Sequence, residues 1–226
     1  MKLSIIIPVY NEARTVLEVI QRVKETPFDK EIIVVDDGST DGTSECLMRF
    51  KEDEITLLSH PSNLGKGAAI RTAIPHIRGD IVIIQDADLE YHPSEYPQLI
   101  KPILDGKADV VYGSRFLGGT HRVLLFWHAV GNKIITTLSN MLTDLNLSDM
   151  ETGYKVFRAE ALKKIKIESN RFGFEPEITA KIAKMGLRVY EVPISYWGRD
   201  YKEGKKINWK DGLAAIYWIL KYNLFG

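Results

Sequence analysis

Asp86, Asp88 and Glu90 fall within one short stretch, IIQDADLEYHP, at residues 83–93. Four residues of strand character run directly into these carboxylates, which repel one another and would loosen a strand end left to themselves. Hard divalent cations such as Mg²⁺ and Mn²⁺ take oxygen ligands and bridge one or two carboxylates to phosphate oxygens. Asp86 and Asp88, two apart at a strand end, can aim at one such ion. As a Lewis acid it would stabilise a departing diphosphate. A solvated turn with an N-capping aspartate is the better explanation of an isolated D-x-D. The position of this pair, facing three other polar loops, favours the metal.

Those loops come from the elements around it. Apolar runs at 3–9, 30–37, 55–59, 80–88 and 108–114 read as strands. Helix-period segments separate them: one with Asn11 as N-cap and Ala13, Val16, Leu17, Ile20 and Val23 on one face, others near 43–51, 66–74 and 94–104. The alternation implies an α/β fold with a mostly parallel, Rossmann-like sheet and helices on both faces. Ligands in such sheets lie beyond the carboxyl ends of the strands, which gathers Tyr10–Glu12, Asp36 and Asp37, Gly65–Gly67 and Asp86–Glu90 on one rim. After residue 118 the pattern changes to a long helix (121–147), a strand at 152–157, a helix near 175–185 stopped by Gly186, a strand at 188–197, a basic loop at 198–206 and a terminal helix from about 209. Without a repeat or a low-complexity linker, one domain over 1–226 is expected. Residues 1–118 would bind nucleotide and metal, and 119–226 the acceptor.

The chain has 226 residues, 45% of them hydrophobic, with 30 basic residues balancing 30 acidic ones. That balance argues against a general nucleic-acid binder. The lone Cys46 excludes a disulfide framework and points to a reducing compartment. The N-terminal apolar run is too short for a signal peptide. The most apolar window, GLAAIYWIL at 212–220, is too short to span a bilayer, so the protein is expected to be soluble or to lie on a surface. The first βα turn, PVYNEA, lacks G-x-G-x-x-G, and NLGKGAA lacks the spacing and hydroxyl of a P-loop, so neither dinucleotide nor P-loop chemistry is expected.

SIIIPVYNE, IIVVDDGSTDGT, NLGKGAAIRTA, DADLEYHP and YGSRF, in this order, resemble the successive signatures of family 2 glycosyltransferases of the GT-A fold. Within that family the chain is most similar to the polyprenyl-phosphate sugar synthases of the dolichyl-phosphate mannose synthase type. The resemblance implies an inverting enzyme that moves a sugar from a UDP- or GDP-sugar to a dolichyl or undecaprenyl phosphate. It places Pro8, Tyr10, Glu12 and Asp37 around the base and ribose, with Asp36 sharing that role and Lys66 positioning the nucleotide. It gives Asp86 and Asp88 the Mg²⁺ or Mn²⁺, with Glu90 where the family often has a glutamine.

A phosphate monoester, with second pKa about 6, is already mostly dianionic at neutral pH and needs basic residues rather than a base. By resemblance Arg115, Arg199 and Lys205 hold that phosphate, with His128 and Asn132 at the positions where the family often supplies an arginine and a serine. Asp149 and Glu151 resemble the acidic motif that supplies a base in hydroxyl-glycosylating relatives, which keeps a saccharide or protein hydroxyl open as acceptor. An inactive nucleotide-sugar-binding subunit is the non-enzyme alternative. Leu124, Leu125, Phe126 and Trp127, with Trp209, Tyr217, Trp218 and Phe225, suit helices at a membrane interface on the cytoplasmic face, a core, or a contact with another copy or a membrane-spanning partner.

Overall fold

The computed structural model describes residues 1–50, 54–118, 120–123, 125–171, 173–198 and 209–225. Seven strands form one sheet: β1 (Leu3–Val9), β2 (Lys30–Asp36), β3 (Thr56–Ser59), β4 (Ile81–Ile84), β5 (Val110–Ser114), β6 (Lys155–Arg158) and β7 (Val189–Pro193). Their order is β3-β2-β1-β4-β6-β5-β7. All pairs are parallel except the two that β6 makes, with β4 and with β5. The reversed strand begins, rather than ends, at the rim where its neighbours finish. Its preceding loop, 148–154, is therefore delivered to the same edge as the loops after β1, β2, β4, β5 and β7.

Among the described residues eight α-helices flank the sheet: α1 (Val16–Glu25), α2 (Thr43–Leu47), α3 (Lys66–Ala73), α4 (Tyr96–Leu104), α5 (Phe126–Thr143), α6 (Ala159–Lys164), α7 (Phe174–Lys184) and α8 (Trp209–Leu224). Alternate residues of the strands face opposite layers, as the two-residue period of a strand requires. Ile5, Ile7, Ile83 and Val111 pack with Val16, Val19, Ile20 and Val23 of α1 and Leu99 and Ile103 of α4. Ile6, Ile33, Val82 and Ile84 pack with Ile70 of α3, Ile178 and Ile182 of α7 and Ile219 of α8. Burial on both faces explains why the central strands β1 and β4 read as unbroken apolar runs.

Three local readings need correction. Asn11 does not cap α1: it adopts φ +53°, a conformation its short amide tolerates, and its side chain accepts from Thr40 N at 2.8 Å. The helix starts at Val16, after Thr15, whose hydroxyl instead reaches Ala87 O at 2.7 Å. The fourth strand stops at Ile84, two residues before Asp86, so the carboxylates stand on a loop. The long helix is shorter than 121–147 because Leu125 (φ +51°) and Asp144 (φ +55°) leave helical geometry at its ends. The short helix α6 carries no separate periodic signal in the sequence. Gly186 does end its helix, at φ +63°. No helix among the described residues is long and apolar enough to cross a membrane.

Candidate active site

One side of the rim is built by two buried aspartates at the end of β2. Asp36 accepts from Ser39 N at 3.0 Å and from the Ser44 hydroxyl. Asp37 accepts from Leu64 N at 2.9 Å and Gly65 N at 2.7 Å, and meets His60 Nδ1 at 2.6 Å. Both are 3% exposed, so their carboxylates fasten the loops at 38–44 and 60–65. Gly65 at φ +105° admits no side chain, since a Cβ there would lie 2.3 Å from Asn170 O. Beside this hinge Asp36, Gly38, Thr40, Ser59, His60 and Pro61 line a cavity of about 340 Å³. Tyr10 stands 38% exposed at the end of β1, Pro8 is half-buried within that strand, and Glu12 accepts the Thr15 hydroxyl at 3.0 Å.

Asp86 lies where loops from the two halves of the chain meet. Its Oδ1 is 2.9 Å from Lys66 Nζ at the start of α3, and the same ammonium is 3.1 Å from Glu175 Oε1 in the first turn of α7. Burial alone would lower the pKa of Lys66, but the two carboxylates outweigh it and raise the ammonium well above its ordinary range. Asp88 Oδ1 accepts from Glu90 N at 3.1 Å, across Leu89 at φ +64°. Glu90 turns to the other side, where Tyr196 OH donates to it at 2.7 Å. Among the described residues no three His, Cys, Asp or Glu side chains gather into a metal-binding group. Mg²⁺ usually takes one or two carboxylates and completes its shell with phosphate oxygens and water. The half-exposed loop carrying Asp86 and Asp88 supplies that donor set.

The other side of the rim centres on Arg115, just beyond β5. Its guanidinium forks onto Asp149, with Nε to Oδ2 and Nη2 to Oδ1 both at 2.7 Å, and its backbone N reaches Oδ2 at 3.1 Å. Asn132 of α5 donates to Asp149 Oδ1 at 3.2 Å, and the Tyr196 ring lies 5.2 Å from the guanidinium carbon. Asp149 is fully buried. Two residues on, Glu151 Oε1 is buried without a hydrogen-bond partner among the described residues. Burial first, then the Glu175 charge, pushes its carboxyl up to about 8. Lys155 is also fully buried and donates to Met150 O at 3.0 Å and Thr152 O at 2.5 Å; burial lowers its pKa.

The structure therefore brings Asp86, Lys66, Arg115 and Asn132 onto one rim, with His128 a turn before Asn132 on α5. Arg199, Lys202, Lys205 and Lys206 lie outside the described residues, as does Leu124. Glu175, Gly153, Tyr91 and Glu191 were not singled out from the sequence. Glu191 accepts from Ser148 N at 2.8 Å and Asp149 N at 3.1 Å, and Tyr91 OH accepts from Gly153 N at 2.9 Å. Nothing local marks them, because each acts through a partner far away in the chain.

The family model described as "Glycosyl transferase family 2" matches residues 4–166. Glycosyltransferase AglJ of Haloferax volcanii is 32% identical over 196 residues, covering 86% of this chain; the chain spans 63% of that protein's length. An undecaprenyl-phosphate mannosyltransferase of Micrococcus luteus is 31% identical over 233 residues, covering 96% of this chain and 92% of the relative. Among solved structures, glucosyl-3-phosphoglycerate synthase of Mycobacterium tuberculosis, in complex with Mn²⁺, UDP and glucosyl-3-phosphoglycerate, superposes with a TM-score of 0.76. It is 21% identical, over 98% of this chain and 80% of that one, a likeness of fold.

Proposed function

The chain belongs to glycosyl transferase family 2, and from that premise we propose that it moves a sugar from a nucleotide diphosphate sugar, UDP- or GDP-linked, to a polyprenyl phosphate. The observation that carries the acceptor is the Arg115–Asp149 pair. A hydroxyl acceptor needs a base beside it. Asp149 is buried and clamped by a bidentate guanidinium, and desolvation raises the carboxyl of Glu151 well above the usual carboxylate range. A dianionic phosphate needs no base. Arg115 offers it a cation already oriented by Asp149 and braced against the Tyr196 ring. The similarity to the Micrococcus luteus mannosyltransferase supports the same acceptor class.

In this reading Tyr10, Glu12, Asp36 and Asp37 shape the seat of the base and ribose, the two aspartates by fixing the loops around it. Asp86 and Asp88 would hold Mg²⁺ or Mn²⁺, which supplies positive charge against the departing diphosphate. The acceptor oxygen attacks the anomeric carbon from the face opposite the leaving group, so the anomeric configuration inverts. Residues 1–226 act as one catalytic unit, since the single sheet carries donor loops from its first half and the Asp149 loop from its second. Exposed Val123, Phe126 and Trp127 before and within α5, and Leu224 and Phe225 at the end of α8, suit a peripheral position at the cytoplasmic membrane face, where a lipid acceptor is presented.

A second reading, transfer to a hydroxyl, draws as base on the Glu151 oxygen that has no hydrogen-bond partner among the described residues. One experiment separates the two. The protein is incubated with UDP- and GDP-sugars, with and without undecaprenyl phosphate, and transfer and donor hydrolysis are followed in Arg115→Ala, Asp149→Asn and Glu151→Gln. A charge-assisted contact contributes about 1.5–3 kcal/mol, so Arg115→Ala should lose roughly ten- to a hundredfold in transfer while slow hydrolysis persists. Folded fractions are checked, since Asp149 is left uncompensated. Transfer abolished in Glu151→Gln and retained in Arg115→Ala would overturn the lipid-phosphate reading.

A further inference from the structure

The ammonium of Lys66 is held between two carboxylates that come from different parts of the chain, Asp86 after β4 and Glu175 on α7, at 2.9 and 3.1 Å. A lysine meant only to meet a phosphate requires no second carboxylate, and burying Glu175 (6% exposed) is costly without its cation. The other oxygen of Asp86, Oδ2, lies against Gly153, where a Cβ would stand 2.1 Å away. Asp86 is thus compensated by the chain itself, through the oxygen that faces Lys66. We propose that Lys66 is a built-in counter-ion of Asp86 that keeps a bare divalent cation off this carboxylate and yields to the cation–nucleotide complex, whose phosphates take over the ammonium. Glu175 is the positioning residue that keeps Lys66 at the rim through the exchange. The enzyme then takes up metal and nucleotide together. The inference rests on Asp86 being a metal-binding carboxylate.

The charges make this testable without turnover. Asp86 Oδ1 and Glu175 Oε1 both lie within 3.1 Å of one nitrogen, so replacing Lys66 by an uncharged residue leaves two carboxylates facing one seat. Mn²⁺ binding is measured on the full chain by loss of the free-ion electron paramagnetic resonance signal, with and without UDP or GDP. Bare Mn²⁺ should bind Lys66→Met about tenfold or more tighter than wild type. Lys66→Arg, which keeps the charge, should bind it as weakly as wild type. Glu175→Gln, which keeps the lysine on Asp86, should not tighten it. In wild type the nucleotide should tighten Mn²⁺ by at least about tenfold, a coupling that Lys66→Met reduces. Unchanged bare-metal affinity in Lys66→Met, or equal tightening in Lys66→Arg, overturns the counter-ion role. Should Lys66→Met fail to fold, a wild-type coupling below about fivefold does the same. Absence of Mn²⁺ binding in every protein even with nucleotide would overturn the metal reading beneath it, a result distinct from equal binding in all.

Discussion

Adding one methyl group at Gly153 should disable the enzyme while leaving it folded. The Cβ of an alanine would fall 2.1 Å from Asp86 Oδ2, 3.1 Å from Asp86 Cγ and 2.8 Å from Tyr91 Cε2. The glycine's φ lies outside the left-handed region, so the backbone itself accepts alanine. Tyr91 cannot give way: it is buried, its ring packs 4.9 Å from Tyr154 and 5.5 Å from Tyr196, and its hydroxyl holds Gly153 N. The carboxylate of Asp86, on a half-exposed loop, is the softer neighbour and must retreat by roughly 1 Å to restore van der Waals contact. Displacing a reacting or ligating group by that much costs roughly a hundredfold in kcat. Overpacking costs about 1–3 kcal/mol of stability, which leaves the native state populated. Donor hydrolysis and transfer rates, measured beside a thermal melt, give both numbers. Gly131→Ala on α5 is the control, because its Cβ meets nothing within 4 Å and should stabilise the helix by about 0.5–1 kcal/mol at unchanged turnover. Wild-type kcat in Gly153→Ala would refute the placement of Asp86 in the chemistry.

Asp86→Asn and Asp88→Asn remove a ligand charge without changing shape and should each abolish turnover; wild-type rates under chelation would end the metal reading. Asp37→Ala leaves Leu64 N and Gly65 N without their acceptor, so it should lose about 2–4 kcal/mol in denaturant melts and raise the donor KM. An unchanged donor KM would remove Asp37 from the nucleotide site. Glu151 gives a pH signature. Its folded carboxyl is raised to about 8 from an ordinary 4.5, so between these values the unfolded chain releases a proton that the folded chain keeps, and wild type loses stability as pH rises. Glutamine does not titrate, so the Tm advantage of Glu151→Gln should grow from about pH 5 to pH 8. A pH-independent difference would show that Glu151 is ionised in the fold.

The sequence alone determined the layered α/β architecture, because each buried strand is written as a local apolar run and the face of α1 as a three-and-four spacing. It also determined which loops share an edge, since parallel strands all release their loops at one rim, and so it put Asp86 and Asp88 on the same rim as Asp36 and Asp37 without coordinates. What those side chains hold was decided by the tertiary structure. Asp36 and Asp37 fasten loops, Arg115 is forked onto Asp149, and Lys66 is divided between Asp86 and Glu175. Asn11 looked like a cap because the local pattern permits one, yet Thr40, on the loop after β2, claims its amide. The reversal of β6 was equally invisible, since a strand's apolar run is the same in either direction. Periodicity is a property of neighbouring residues and survives in a one-dimensional reading; a charge's partner is chosen only when the sheet closes and brings distant loops within hydrogen-bond reach.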